Sequence, residues 1–289
     1  YKEYVRIDKS KELIQIAELS PHINATIHRL QYERGKISVY LNASKTAAKS
    51  QARTELEDLY RKSDEVLAEL KATYEAQDHG VYGDEFTRLM ATTLEKVEGI
   101  KSVRTSIIFN QVSQTEAVAA YTQDINMLLD LVEYLGTHAE SAEAANHFAA
   151  YIALMKQQEA MGQERALGTV ILGQGMIAAN DREKLSGIIG RQEAFEDMFL
   201  SYAVPEDKQA YENDFINHES YATIQVLRQR FLDFSAENLL VSQVSPTDWF
   251  NAFTAGINQV SLAQTELENK IAQYAEKSYV SARNVFYIT

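Results

Sequence analysis

Leu30-Gln31-Tyr32-Glu33-Arg34-Gly35-Lys36-Ile37 and Met161-Gly162-Gln163-Glu164-Arg165-Ala166-Leu167-Gly168 are two versions of one short segment. Each lies in a run whose apolar residues recur at alternating steps of three and four. Around the first copy the stripe reads Ile23, Ile27, Leu30, Ile37 and Leu41; around the second it reads Tyr151, Leu154, Met161 and Leu172. That period keeps one face of an α-helix in view. In both copies an arginine stands where the stripe calls for an apolar residue, so Arg34 and Arg165 point toward a core. A buried guanidinium without a counter-charge is costly, so each should meet an anion, either a side chain or a ligand.

The rest of the chain continues the helical pattern. Twelve Gly and three Pro in 289 residues leave few interruptions, which predicts long helices joined by few turns. The first helix is predicted over residues 5–41, with Ser20-Pro21 as a kink or a cap and restart. A second runs from Asn42-Ala43-Ser44 to about Gln77, and Asp78 to Asp84 forms a turn with Asp84 as N-cap. The third carries Phe86, Met90, Val97, Ile100 and Ile107, with Arg104 at another stripe position. Ser113-Gln114-Thr115-Glu116 is a capping box opening the fourth, which Gly136 ends. Thr137-His138-Ala139-Glu140 caps the fifth, which Gly173-Gln174-Gly175 stops. The sixth runs from Asn180 or Asp181 to Tyr202. The seventh starts at Val204-Pro205 and carries Ile224, Arg228 and Phe231. Ser245-Pro246-Thr247-Asp248 caps the last, which carries Trp249, Phe253, Ile257, Val260 and Leu267.

The predicted class is therefore all-α. About eight antiparallel helices form two four-helix bundles, since short connections favour antiparallel neighbours. A single elongated bundle, with the first, fifth and last helices crossing both halves, fits the pattern equally. One domain over residues 1–289 is expected, with duplicated halves near 1–111 and 112–289. Arg34 and Arg104 in the first half correspond in order to Arg165 and Arg228 in the second.

Composition narrows the function. The formal net charge of −13 argues against a nucleic-acid partner, because phosphate binding needs a basic face. No cysteine is present, so disulfides and thiolate sites are absent; this fits an oxidising compartment. There is no apolar run of membrane-spanning length, no Gly-rich phosphate loop and no Gly-x-Ser-x-Gly. None of the six histidines follows a glutamate by three residues, so a carboxylate-bridged di-metal bundle is not indicated. Glu143 with His147 is a weak metal-like pair. No enzyme, no metal and no cofactor is expected. Single stripe arginines usually pair with acids or cover apolar surface with their stems. Four in a repeated order point instead to a planar oxyanion, which matches the fork of guanidinium donors.

The residues also resemble the nitrate- and nitrite-sensing (NIT) family of bacterial receptors and regulators. The resemblance rests on Leu30 to Gly35 with Ser38, Tyr121 with Leu128-Leu129, Gly162 to Leu167, Ile224 to Arg228, and Trp249-Phe250; it spans roughly residues 19–275. Lys36-Ile37 departs from the small or apolar residues usual there. The resemblance implies a pair of helical bundles binding nitrate or nitrite through arginines where they meet, and passing a signal to an output module. Arg34, Arg165 and Arg228 match the family's arginines and Arg104 a less characteristic position. The anion is expected between Arg34 and Arg228, with Arg165 second and Arg104 last. The chemoreceptor analogy implies a homodimer and an extracytoplasmic, periplasmic sensor held by flanking membrane spans, with a cytoplasmic regulator as the alternative. The abrupt ends suggest a piece of a longer chain. The competing readings are a structural or protein-binding helical module and a sensor for another small anion such as a carboxylate.

Overall fold

A computed structural model describes residues 2–42, 46–139, 141–232 and 244–288. Its helices are α1 (Lys2–Asn42), α2 (Thr46–Glu75), α3 (Gly83–Ile108), α4 (Gln114–Gly136), α5 (Ala142–Gln174), α6 (Ala179–Tyr202), α7 (Pro205–Tyr211), α8 (Glu219–Leu232) and α9 (Pro246–Ile288). Among the described residues there is no strand, and the all-α expectation holds.

The local signals explain most boundaries. Ser113 and Glu116 form the reciprocal capping box at α4. Gly175 ends α5 in the left-handed region at φ 71°, which a side chain would resist. Ser245 accepts from the Asp248 amide at 2.9 Å and opens α9. Three expectations change. Of the two alternatives at Ser20-Pro21, the cap and restart falls, because α1 continues through Pro21 as one helix. Ser141 caps α5, accepting from the Ala144 amide at 3.0 Å, and Glu140 lies outside the described residues, as do 43–45. Asp84 falls inside the first turn of α3 rather than capping it.

The seventh predicted helix is two. A π-turn over Glu212–Ile216 follows α7, with the Asn217 amide reaching back to Glu212 O at 2.8 Å. His218 then starts α8, its Nδ1 accepting from the Ser220 amide at 3.1 Å. The wider turn resets the helical register. Tyr211 and Phe215 stay in a ring cluster with Phe199, while Ile224 and Phe231 still reach the core.

Helices α1–α4 make one group and α5, α6, α8 and α9 another, and α1, α5 and α9 also pack on one another. Contacts fix the directions. Asn24 and His28 of α1 meet Glu268 and Gln264 of α9, so these run antiparallel. Tyr151, Gln158 and Arg165 of α5 meet Glu268, Ser261 and Thr254 in the same opposed order. Helix α1 is therefore parallel to α5. Lys9 near the start of α1 and Ser281 near the end of α9 line one cavity, which places both ends at the same pole. Helix α5 is buried on every face, polar Gln157, Gln158, Glu159, Glu164 and Arg165 included. Those groups need partners inside the protein.

Candidate functional site

The four stripe arginines do not converge on one point. Arg104 donates from Nε and Nη2 to the two oxygens of Glu33 at 3.0 and 2.7 Å, and from Nη1 to Asp64 at 2.6 Å. Tyr121 adds a hydroxyl to the same Glu33 carboxylate at 2.6 Å. In the second half Arg228 donates from Nε and Nη2 to Glu164 at 2.7 and 2.5 Å, and Gln192 donates to that carboxylate at 2.6 Å. These are the same arrangement twice. The glutamate of each repeated segment accepts the guanidinium fork from a later helix of its own half. Adjacent residues on a helix do not face each other, so Glu33 and Glu164 serve other helices and not their neighbours Arg34 and Arg165.

Arg34 and Arg165 lie together at the seam between α1 and α5. A Cβ placed on Gly162 would sit 2.9 Å from Arg34 Nη2, and one on Gly35 would sit 3.0 Å from Arg165 Nη2. Each guanidinium thus passes over the other helix where a glycine leaves room. Their surroundings repeat in part. Arg34 Nη1 donates to Thr122 at 2.8 Å, and Arg165 Nη1 donates to Thr254 at 2.9 Å. Both Nε atoms are buried without a partner.

The counter-charge does not repeat. Arg34 holds Glu159 with both Nη groups, at 2.7 and 3.0 Å. Arg165 donates its second Nη to the Gln31 carbonyl at 2.9 Å instead, and among the described residues no carboxylate forms an ion pair with it. The step along the chain that takes Glu33 to Glu164 and Arg34 to Arg165 takes His28 to Glu159. His28 therefore stands in the first segment where the second has its carboxylate. Arg165 is 2% exposed. Burial, and next the charge of Arg34, lowers its pKa from 12.5 to about 10.

Arg165 lines a cavity of about 590 Å³ bounded by α1, α2 and α9. Arg29, Tyr32, Thr254, Asn258 and Ser261 share that lining, as does His28. Burial holds His28 below its ordinary pKa, so its imidazole is pushed toward the neutral form; Nε2 lies 3.1 Å from Gln264 Oε1. Glu268, the carboxylate of the cavity, accepts from Asn24 and Tyr151 at 2.7 Å each. The Arg165 guanidinium also lies 4.8 Å from the Phe250 ring centre and 5.9 Å from that of Tyr32. The cavity thus presents a buried guanidinium that has no ion-pair partner among the described residues, with hydroxyl and amide groups beside it. That is what a small planar anion needs. Sequence reading singled out Arg165 but ranked it behind Arg34 and Arg228, and it did not find Glu159.

A family model described as nitrate and nitrite sensing matches residues 25–272. The nitrate regulatory protein of Klebsiella oxytoca is 26% identical over 196 residues, which cover 67% of this chain and 48% of that protein. The chain thus spans about half the length of that curated relative. The structure of the NasR transcription antiterminator has the same fold, with a TM-score of 0.82 at 21% identity, over 94% of this chain and 71% of that one.

Two expectations are corrected by these likenesses. The exclusion of nucleic acid does not stand, because a transcription antiterminator carries this fold. The net charge describes the surface of this chain alone and sets no limit on what the remainder of a longer protein contacts. The periplasmic receptor held by flanking spans does not stand either: the similar proteins are a regulatory protein and an antiterminator. Among the described residues no helix is long and apolar enough to cross a membrane.

Proposed function

Since this chain belongs to the nitrate and nitrite sensing family, we propose that it takes one nitrate or nitrite ion at Arg165, in the cavity between α1, α2 and α9, without catalysis. The observation that carries this reading is the missing counter-charge: three of the four stripe arginines hold a carboxylate, and Arg165 does not. The likeness to a nitrate regulatory protein supports the choice of ligand. Nitrate is planar with in-plane acceptors, and a guanidinium offers in-plane donors. Arg34 beside it is neutralised by its own carboxylate, Glu159, and Arg104 and Arg228 hold the two halves in shape through theirs.

Arg165 of α5 already binds α1 through Gln31 and α9 through Thr254. An anion that takes over one of those donors changes the tie between the three helices that form the seam. The ends of α1 and α9 lie together, so a small shift between them reaches one pole of the molecule. For this to act as a signal the ion must bind the two arrangements unequally. Calorimetric titration with nitrate, nitrite and acetate tests the proposal. One equivalent of nitrate or nitrite per chain is expected. Binding of acetate alone would keep a sensor and change its ligand. No binding of any small oxyanion would leave a structural helical module.

A further inference from the structure

A cavity of about 400 Å³ lies between α5, α6 and α8, apart from the one that Arg165 lines. Glu193 and Glu196 line it from one face of α6, three residues apart, Glu196 half-buried and Glu193 at the rim. Among the described residues neither carboxylate forms an ion pair. Burial, then the charges of Asp197 and Glu193, push the Glu196 carboxyl above its ordinary pKa, with Arg228 opposing. Arg228 is the cation of the lining, and its Nε and Nη2 are already taken by Glu164 at 2.7 and 2.5 Å. Gln157 of α5 forms part of the floor and is 2% exposed. Its Nε2 donates to the Tyr211 hydroxyl at 2.7 Å, while its Oε1 is a buried acceptor without a partner. Tyr211 lies outside the lining, so the end of the amide turned to the cavity is that oxygen. A buried acceptor without a donor is costly, and a ligand that brings one relieves it. Phe215 of the π-turn and Tyr221 of α8 meet edge to face at 5.2 Å and wall the cavity, with Ile224 beside them.

We propose that this cavity binds a small organic cation with a primary ammonium group, its N–H donors on Glu193, Glu196 and Gln157 Oε1 and its carbon chain against Phe215, Tyr221 and Ile224. The sign follows from the charges: two carboxylates lack an ion pair, and Glu164 cancels the guanidinium beside them. The donors follow from the acceptors, since an ammonium has three N–H groups and a quaternary amine has none. The organic part follows from the wall, where aromatic faces attract a cation and apolar surface is covered by its chain. Among the described residues no group of three histidine or carboxylate ligands could hold a metal ion, so a bare metal is not the occupant. Single π-turns recur at functional sites, and this one sets Phe215 in the lining.

Calorimetric titration with butylammonium chloride tests the site, with sodium chloride as the control for the anion. One equivalent of butylammonium is expected on the intact chain. E193Q/E196Q keeps the side-chain size and removes both charges. It should fold, because burial already disfavours the Glu196 carboxylate, and it should bind at least about tenfold more weakly. Circular dichroism checks its helical content; if the double variant does not fold, E196Q alone is titrated with the same expectation. Tetramethylammonium, which has no N–H donor, and ammonium, which leaves the aromatic wall uncovered, should both bind more weakly than butylammonium. No heat from butylammonium beyond that of sodium, an unchanged affinity in the folded variant, or equal binding of either control cation overturns the proposal. The cation and nitrate titrations are independent, so either site can fail while the other stands.

Discussion

Replacing Arg165 by methionine keeps most of the side-chain volume and removes a charge that has no internal partner. The depression of its pKa from 12.5 to about 10 corresponds to roughly 3 kcal/mol against the charged form in the folded state. Against that relief stand the lost hydrogen bonds to Thr254 and the Gln31 carbonyl, worth about 1.5–3 kcal/mol each when the donor is charged. The two bonds together are worth about 3–6 kcal/mol, so R165M should lie between level with the parent and about 3 kcal/mol below it, a smaller loss of melting midpoint than that of the next variant. Replacing Arg104 by methionine is the contrast. It strands Glu33, which is fully buried, and breaking a buried pair from one side costs about 3–5 kcal/mol. At about 2–4 °C per kcal/mol for a chain somewhat shorter than this, R104M should melt on the order of 5–15 °C lower. The assay is thermal unfolding by circular dichroism, with and without nitrate. At a hundredfold excess over the dissociation constant the ligand adds about 2.7 kcal/mol to the stability of a binding chain. R104M, if folded at the start, should show that upward shift, and R165M should show none. A nitrate shift retained in R165M would refute the site. A loss of stability in R165M as large as in R104M would show that Arg165 is a satisfied structural group.

Gly168 lies under the indole of Trp249, where a Cβ would come within 2.2 Å of the ring, so G168A should lose about 1–3 kcal/mol or more; unchanged melting would mean that the ring moves freely. A Cβ on Gly35 would meet Phe250 at 2.9 Å and Arg165 Nη2 at 3.0 Å, so G35A should weaken nitrate binding more than it lowers stability, and equal affinity by calorimetry would rule out its spacing role. Burial pushes the Asp124 carboxyl from 3.8 up to about 6, with Lys96 opposing. The folded chain then holds that proton more tightly than the unfolded one. Its stabilisation is present below the unfolded value and lost as pH rises through about 6. D124N should accordingly raise the melting midpoint at neutral pH and above, with little gain near pH 4, and the same gain at both pH values would contradict the assignment.

Much of the fold was legible because it depends on local chemistry. The apolar stripes gave the helices, and the Ser113–Glu116 box, Ser245 and Gly175 gave their ends. The break at Asn217-His218 was not legible, because a π-turn adds a residue without Gly or Pro to mark it. Its purpose lies in packing, where Tyr211 must meet Phe199 and Phe215 while Phe231 meets Trp249. The seam was half legible. Two stripe arginines signalled buried charge, but not which acid each would find. Glu33 and Glu164 stand next to Arg34 and Arg165 in sequence and point away from them in space. Only aligning the two segments residue by residue sets Glu159 against His28 and exposes the difference.

In the reading proposed above, that difference is what lets the two repeated segments hold one ligand between them. Two guanidiniums buried in one seam repel, and the charge of Arg34 adds to burial in lowering the pKa of Arg165. Two carboxylates, one for each, would neutralise the seam and leave no demand for an outside ion. None would leave two buried cations, each carrying a desolvation cost of several kcal/mol. One carboxylate tightly held by four donors leaves a single positive charge beside a cavity that a small anion can fill. Glu33 and Glu164 take no part in that balance, because Arg104 and Arg228 have already closed on them within each half. The two segments thus share their Glu33–Arg104 and Glu164–Arg228 pairs by repetition, and Arg165 stands out where Glu159 and His28 break it.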